Sequence, residues 1–134
     1  MFASKSFSST HPVLQIKDTR VLWEGNILKH KEGKLRNRYL VIANTGIFFF
    51  KKKAFKKSYI LSKAISYEQL TKISLISTGL YIEWNNSHII IEDQRIVDIC
   101  SIIYTVRETM FHGQSISFTI SPELRKTIEE TVYI

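Results

Sequence analysis

The sequence predicts a mainly β fold, a seven-stranded antiparallel sandwich or partly open barrel capped by a C-terminal α-helix. Two patterns predict it. From Val21 onward, β-rich runs alternate with turn residues at intervals of roughly ten, the spacing of a sandwich or barrel. After Asp93 the apolar period changes from two to that of a helix. A 134-residue chain that is 44% hydrophobic has enough apolar material for one such domain and one core.

The first run is Val21 to His30, followed by the turn Lys31-Glu32-Gly33 and a second run from Leu35 to Ala43. Asn44-Thr45-Gly46 is a hairpin signal leading into Ile47 to Lys53. Tyr59 to Ile65 comes after a basic loop, then Lys72 to Ser77. Leu80 to Trp84 and His88 to Glu92 are joined by Asn85-Asn86-Ser87, which reads as a tight turn although it also matches a glycosylation sequon. Asp93 is the expected N-cap of the helix. Ile96, Val97, Ile99, Cys100, Ile103, Val106 and Met110 then give it one broad buried face, and Gly113 suits its C-terminal end.

Outside this unit, residues 1–20 read as a flexible arm and residues 114–134 as an extension, with 21–113 as the domain. The extension holds a β-like stretch, Ser115 to Ile120. Ser121-Pro122-Glu123 then supplies the start of a short last helix. Its apolar end, Val132-Tyr133-Ile134, is what a piece cut from a longer protein would show. No apolar run approaches the ~18 residues of a membrane span. The lone Cys100 excludes an intrachain disulfide and reads as a buried apolar side chain in a reducing compartment.

Nothing in the sequence points to catalysis. His11, His30, His88 and His112 lack metal-ligand spacing, and the five glycines build no phosphate-cradling loop. No catalytic residue, metal site or cofactor is expected.

Charge is the informative feature. Nineteen basic residues against twelve acidic ones leave a net charge of +7, which speaks of anionic partners rather than of fold. Ten of the nineteen lie between Lys29 and Lys57, with Glu32 as the single acid among them. They fall on three consecutive strands and their connections, so a meander makes them neighbours. Residues two apart share a face, which groups Gly25, Ile27 and Lys29 in the first strand and Arg36, Arg38, Leu40 and Ile42 in the second. The result is an apolar interior with a cationic mouth, suited to a multiply phosphorylated headgroup. For any single lysine, a solvated strand end is the simpler account. Phe48, Phe49 and Phe50 look like a base-stacking cluster, but alternation sends them to opposite faces and into packing.

The stretch Gly25-Asn26-Ile27-Leu28-Lys29, then Arg36-Asn37-Arg38-Tyr39-Leu40-Val41-Ile42, then Ile47-Phe48-Phe49-Phe50-Lys51 resembles the opening of a pleckstrin homology (PH) domain. The resemblance covers about residues 21 to 112. It implies phosphoinositide binding in which Lys29, Arg36 and Arg38 grip the headgroup. Lys31 and Lys34 in the first hairpin assist, with Lys57 near the fourth strand. Two departures mark a divergent member. Phe49 stands where a tyrosine hydroxyl is frequent, and Ile99 or Ile103 stands where the closing helix usually carries tryptophan.

The expected function is therefore a non-catalytic, cytoplasmic module, peripheral at the inner face of a membrane, that recruits its parent protein to phosphoinositides. Lys51, Lys52, Lys53, Phe55 and Lys56 form the expected membrane-facing loop. The alternative is a protein-interaction or dimerisation module on the same fold. Nucleic-acid binding ranks last because the aromatic residues read as core.

Overall fold

In the computed structural model, residues 18–52 and 59–110 are described, together with the backbone of 117–120. The elements are β1 (Val21–Lys31), β2 (Lys34–Ala43), β3 (Ile47–Lys52), β4 (Tyr59–Ile65), β5 (Leu70–Ile76), β6 (Gly79–Trp84), β7 (Ser87–Glu92), α1 (Ile96–Met110) and β8 (Ser117–Ile120). Neighbours in the sheet run β4-β3-β2-β1-β7-β6-β5-β8. The seven expected strands are present, antiparallel throughout, and the helix follows them.

Turn chemistry sets the register. Lys31 pairs with Lys34 across Glu32-Gly33, and Trp84 pairs with Ser87 across Asn85-Asn86. All four turn residues have positive φ, from 41° to 77°, as the hairpin turn that matches strand twist requires. The Asn85-Asn86-Ser87 segment is thus a two-residue hairpin.

β1 joins the two halves. It pairs with β2 along its whole length but meets β7 only at Leu28↔Glu92 and Lys29↔Ile91. The sheet folds over at that corner. Ile27, Leu40, Ile42, Ile47, Phe49 and Ile65 then pack against Ile73, Leu75, Leu80, Ile82, Trp84, Ile89 and Ile91. Ile99, Cys100 and Ile103 of α1 complete this core, with the two isoleucines fully buried. Burial pushes the Cys100 thiol up to about 12, so it stays protonated and inert.

Two details differ from the sequence reading. Asp93 does not cap α1, which begins at Ile96. Its carboxylate instead accepts the Arg95 backbone N–H at 2.8 Å and pairs with the Arg95 guanidinium at 2.7 Å. A short polar side chain closing its own local turn is the competitor to capping. A 3₁₀ turn, Tyr67–Gln69, also separates β4 from β5, with Gln69 Oε1 accepting the Ser66 N–H at 2.9 Å. The β-like tail stretch appears as β8, parallel to β5 from Lys72↔Ser117 to Leu75↔Ile120, making an eighth strand. Gly113 and the expected last helix lie outside the described residues.

The three consecutive phenylalanines divide by parity. Phe49 enters the main core, while Phe48 and Phe50 join Val41 and Ala43 in a second cluster on the opposite face of β2 and β3.

Tyr67 ties the 3₁₀ turn to β2: its buried hydroxyl donates to the Ala43 carbonyl at 2.6 Å. Tyr67→Phe leaves that carbonyl without its hydroxyl donor and should cost about 1–3 kcal/mol. Urea denaturation with an unchanged m-value is the check. A loss below a few tenths of a kcal/mol would show that the bond is not maintained in solution.

Candidate anion-binding site

The site is assembled by the same alternation that builds the core. Lys29 follows Ile27 on the inner face of β1 and lies opposite Arg36. Arg38 lies opposite Ile27, two residues before core Leu40. Lys51 follows core Phe49 by two positions in β3. Lys63, which pairs with Phe49, precedes core Ile65 by two in β4. Four adjacent strands thus each carry an inner apolar residue and, two positions nearer one end, a cation.

The charges of these strands act on one another. The Lys29 ammonium is held below the usual lysine range, first by burial and then by the charges of Lys63, Arg38, Lys31 and Lys51. Only 9% of Lys29 is exposed. Arg38 is half-buried, and its guanidinium is lowered first by burial and then by Arg36. Its Nη1 donates to the Asn37 carbonyl at 2.8 Å, but its Nε is buried and makes no hydrogen bond. The Lys63 Nζ lies 5.9 Å from the centroid of the Trp84 ring, reaching from β4 over the core. Among the described residues, none of these cations forms an ion pair with a carboxylate; the pairs present are Arg95–Asp93 and His30–Glu92.

Of the residues singled out from sequence, Lys29, Arg36, Arg38 and Lys31 are brought together here. Lys34 is exposed opposite Lys31, beside the hairpin turn. Lys51 and Lys52 end β3 rather than lying in a loop, and only Lys51 is electrostatically coupled to Lys29. Lys53, Phe55, Lys56 and Lys57 lie outside the described residues. Lys63 was missed, although parity counted back from Ile65 in β4 identifies it. Phe49 is fully buried in the core, so the third strand offers no hydroxyl at this position.

A cluster of cations with no carboxylate ion pair among the described residues is electrostatically complementary to an anion. Arginine provides a planar fork for phosphate oxygens and lysine a point charge. Among the described residues no cluster of His, Cys, Asp or Glu could hold a metal ion. No helix among them is long and apolar enough to cross a membrane.

Comparison with known proteins assigns the family. The family model described as PLEKHM2 PH domain-like matches residues 24–117. The chain belongs to that PH domain-like family. Solved structures agree on the fold of this PH-like chain. The hSac2 domain from human phosphoinositide phosphatase Sac2 is similar with a TM-score of 0.59 at 10% identity, covering 81% of this chain and 82% of that one. The linker-DH/PH structure of p115-RhoGEF gives a TM-score of 0.58 at 10% identity, covering 75% of this chain and 34% of that one. The C-terminal domain of an unknown protein from Leishmania infantum gives 0.53 at 13% identity, covering 66% and 84%. No curated protein matches the sequence.

A partly buried ammonium among other cations lowers stability, so the apolar, similarly long Lys29→Met should raise it, by a solvent-screened amount on the order of a few tenths of a kcal/mol. The advantage depends on pH. Because folding lowers the Lys29 value, the folded state disfavours the charged form, and the penalty is complete below that lowered value. It shrinks as pH rises from there toward 10.5, where the unfolded lysine also loses its proton. Paired thermal melts at neutral and alkaline pH measure both effects. A less stable Lys29→Met protein at neutral pH would contradict the electrostatic account.

Proposed function

We propose that this PH-like chain is a non-catalytic module that binds phosphoinositide headgroups on anionic membranes and so recruits the protein that carries it. The observation that carries the reading is the convergence of Lys29, Arg38, Lys31, Lys51 and Lys63 around one partly buried ammonium with no carboxylate of its own. Lys29, Arg36 and Arg38 are the proposed headgroup ligands. Lys63 joins them from β4, and Lys31, Lys34 and Lys57 assist. The rim of Lys51, Lys52, Lys53, Phe55 and Lys56 adds attraction to an anionic surface, worth ~1 kcal/mol per cation close to the bilayer. The setting is cytoplasmic and peripheral.

Phe49 contributes no hydroxyl, so recognition rests more on charge density than on headgroup stereochemistry. Binding is accordingly modest and salt-sensitive, and firm anchoring needs a second signal.

Replacing both Arg36 and Arg38 with alanine removes two cations and one guanidinium whose Nε is orphaned. Vesicle sedimentation with phosphoinositide-containing liposomes should show affinity falling by about 30-fold or more, on ~1–1.5 kcal/mol per charge-assisted contact. Thermal stability should not fall, and Lys63→Ala should weaken binding in the same assay. Unchanged binding by the double variant sinks the proposal.

A second reading, a protein-interaction or dimerisation module, is favoured by β4. This strand ends the sheet and exposes Ile60 and Leu61, at 39% and 38%. Size-exclusion chromatography with light scattering distinguishes it: a dimer disrupted by Ile60→Lys supports this reading.

A further inference from the structure

The lysines of the described strands are not equivalent. Lys29 alone among them is buried, at 9% exposure, while Lys31, Lys51 and Lys63 are exposed. Its position in the sheet explains the difference. Leu28 and Lys29 are the residues of β1 that pair on both sides, Lys29 with Arg36 of β2 and with Ile91 of β7. The backbone is clamped at that corner, and the stem of the side chain follows Ile27 along the core. The charges acting on its ammonium come from Lys63 on β4, Arg38 on β2, Lys31 on β1 and Lys51 on β3. Three of those four side chains are exposed, so the ammonium lies where the cluster meets solvent.

A lysine so placed has a chemistry beyond attracting anions. Burial and neighbouring cations both disfavour the charged ammonium, which leaves more of the neutral amine at a given pH. Desolvation and an adjacent positive group are the two devices that make a lysine a nucleophile toward carbonyl compounds. Lys29 has both, on a stem fixed by the sheet. Cys100, by contrast, is enclosed in the core and stays protonated.

We propose that Lys29, clamped between β2 and β7 and ringed by cations, is a covalent modification site for small aldehydes that carry a phosphate group. The inference rests on the anion site proposed above: Arg38, Lys51 and Lys63 hold the phosphate, and the Lys29 Nζ takes the carbonyl carbon. The amine lone pair forms the C–N bond as the C=O π pair moves to oxygen. A proton passes from nitrogen to that oxygen to give a carbinolamine, and water then leaves to give the imine. Amine and aldehyde become imine and water, with no oxidant or reductant. A neutral imine removes one positive charge from the cluster, and the phosphate offsets the others, so like-charge repulsion favours the adduct. The adduct also occupies the place of a headgroup and closes the site to a membrane.

Pyridoxal phosphate is the probe. The full chain is treated with limiting reagent at neutral pH, imines are reduced with borohydride, and labelled lysines are mapped by peptide mass spectrometry. Label on Lys29 should exceed that on Lys72, which lies on β5 away from the cluster, by about tenfold or more through local concentration of the anion. Pyridoxal without the phosphate should lose that preference, and excess inositol hexakisphosphate should suppress labelling of Lys29. Lys29→Arg keeps the charge without the amine and should take up correspondingly less label. Label spread evenly over the lysines, or undiminished uptake by Lys29→Arg, overturns the proposal. Vesicle sedimentation run beside it separates the two readings. Labelled Lys29 without phosphoinositide binding supports this proposal and removes the membrane one; vesicle binding without preferred labelling of Lys29 does the reverse.

Discussion

The pleat of β1–β4 is the constraint on which both the core and the pocket depend. In each strand one inner apolar residue and one cation sit two positions apart: Ile27 and Lys29, Leu40 and Arg38, Phe49 and Lys51, Ile65 and Lys63. Because the side-chain period is two, a slip of one residue would send both to the outer face together. The pocket therefore needs no separate positioning device. Whatever holds Ile27 against Leu40 and Phe49 also aims the cations, and the Glu32-Gly33 turn fixes that register for β1 and β2.

This economy has an energetic cost that the fold retains. The stem of Lys29 is buried beside the core, while its partly buried ammonium is surrounded by like charges. A fold selected for stability alone would place an apolar side chain there. Arg38 adds a second oddity, since its Nε is desolvated without a partner. Like-charged, partly desolvated groups held by a rigid sheet are what the proposed anion site requires, because an incoming anion would relieve repulsion and desolvation at once. The Trp84 ring beneath Lys63 offers partial compensation, placing a π face where a carboxylate would have quenched the pocket.

The strands were legible because hairpin chemistry and alternation act locally. Asn85-Asn86 and Glu32-Gly33 announce their turns in the residues themselves, and the seven strand cores follow. The Asp93 cap was misplaced because its carboxylate had a nearer claimant in Arg95, and such competition is settled by side-chain geometry that spacing does not encode. Lys29, Arg36 and Arg38 could be grouped because they sit on one hairpin. Lys63 could not be grouped with them in the same way: its place beside Lys29 depends on β4 lying three places from β1, with β3 and β2 between them. The parallel pairing of β8 with β5 is similarly non-local, since it bridges more than forty positions of chain.

β2 and β3 are packed on both faces, which narrows what the pocket can tolerate. Leu40 and Phe49 face the core, while Val41, Phe48 and Phe50 face the outer cluster, so consecutive residues answer to different layers. A shift of β3 that relieved crowding on the outside would move Phe49, the cross-strand partner of Lys63, and with it Lys51 on the inside. Close-packed layers transmit such shifts rather than absorbing them. The cationic side chains have freedom at their tips, but their backbones are clamped from two sides. That combination is what the proposed charge-based recognition would need: strands that already hold the cations in register, and long side chains free to adapt to an anion.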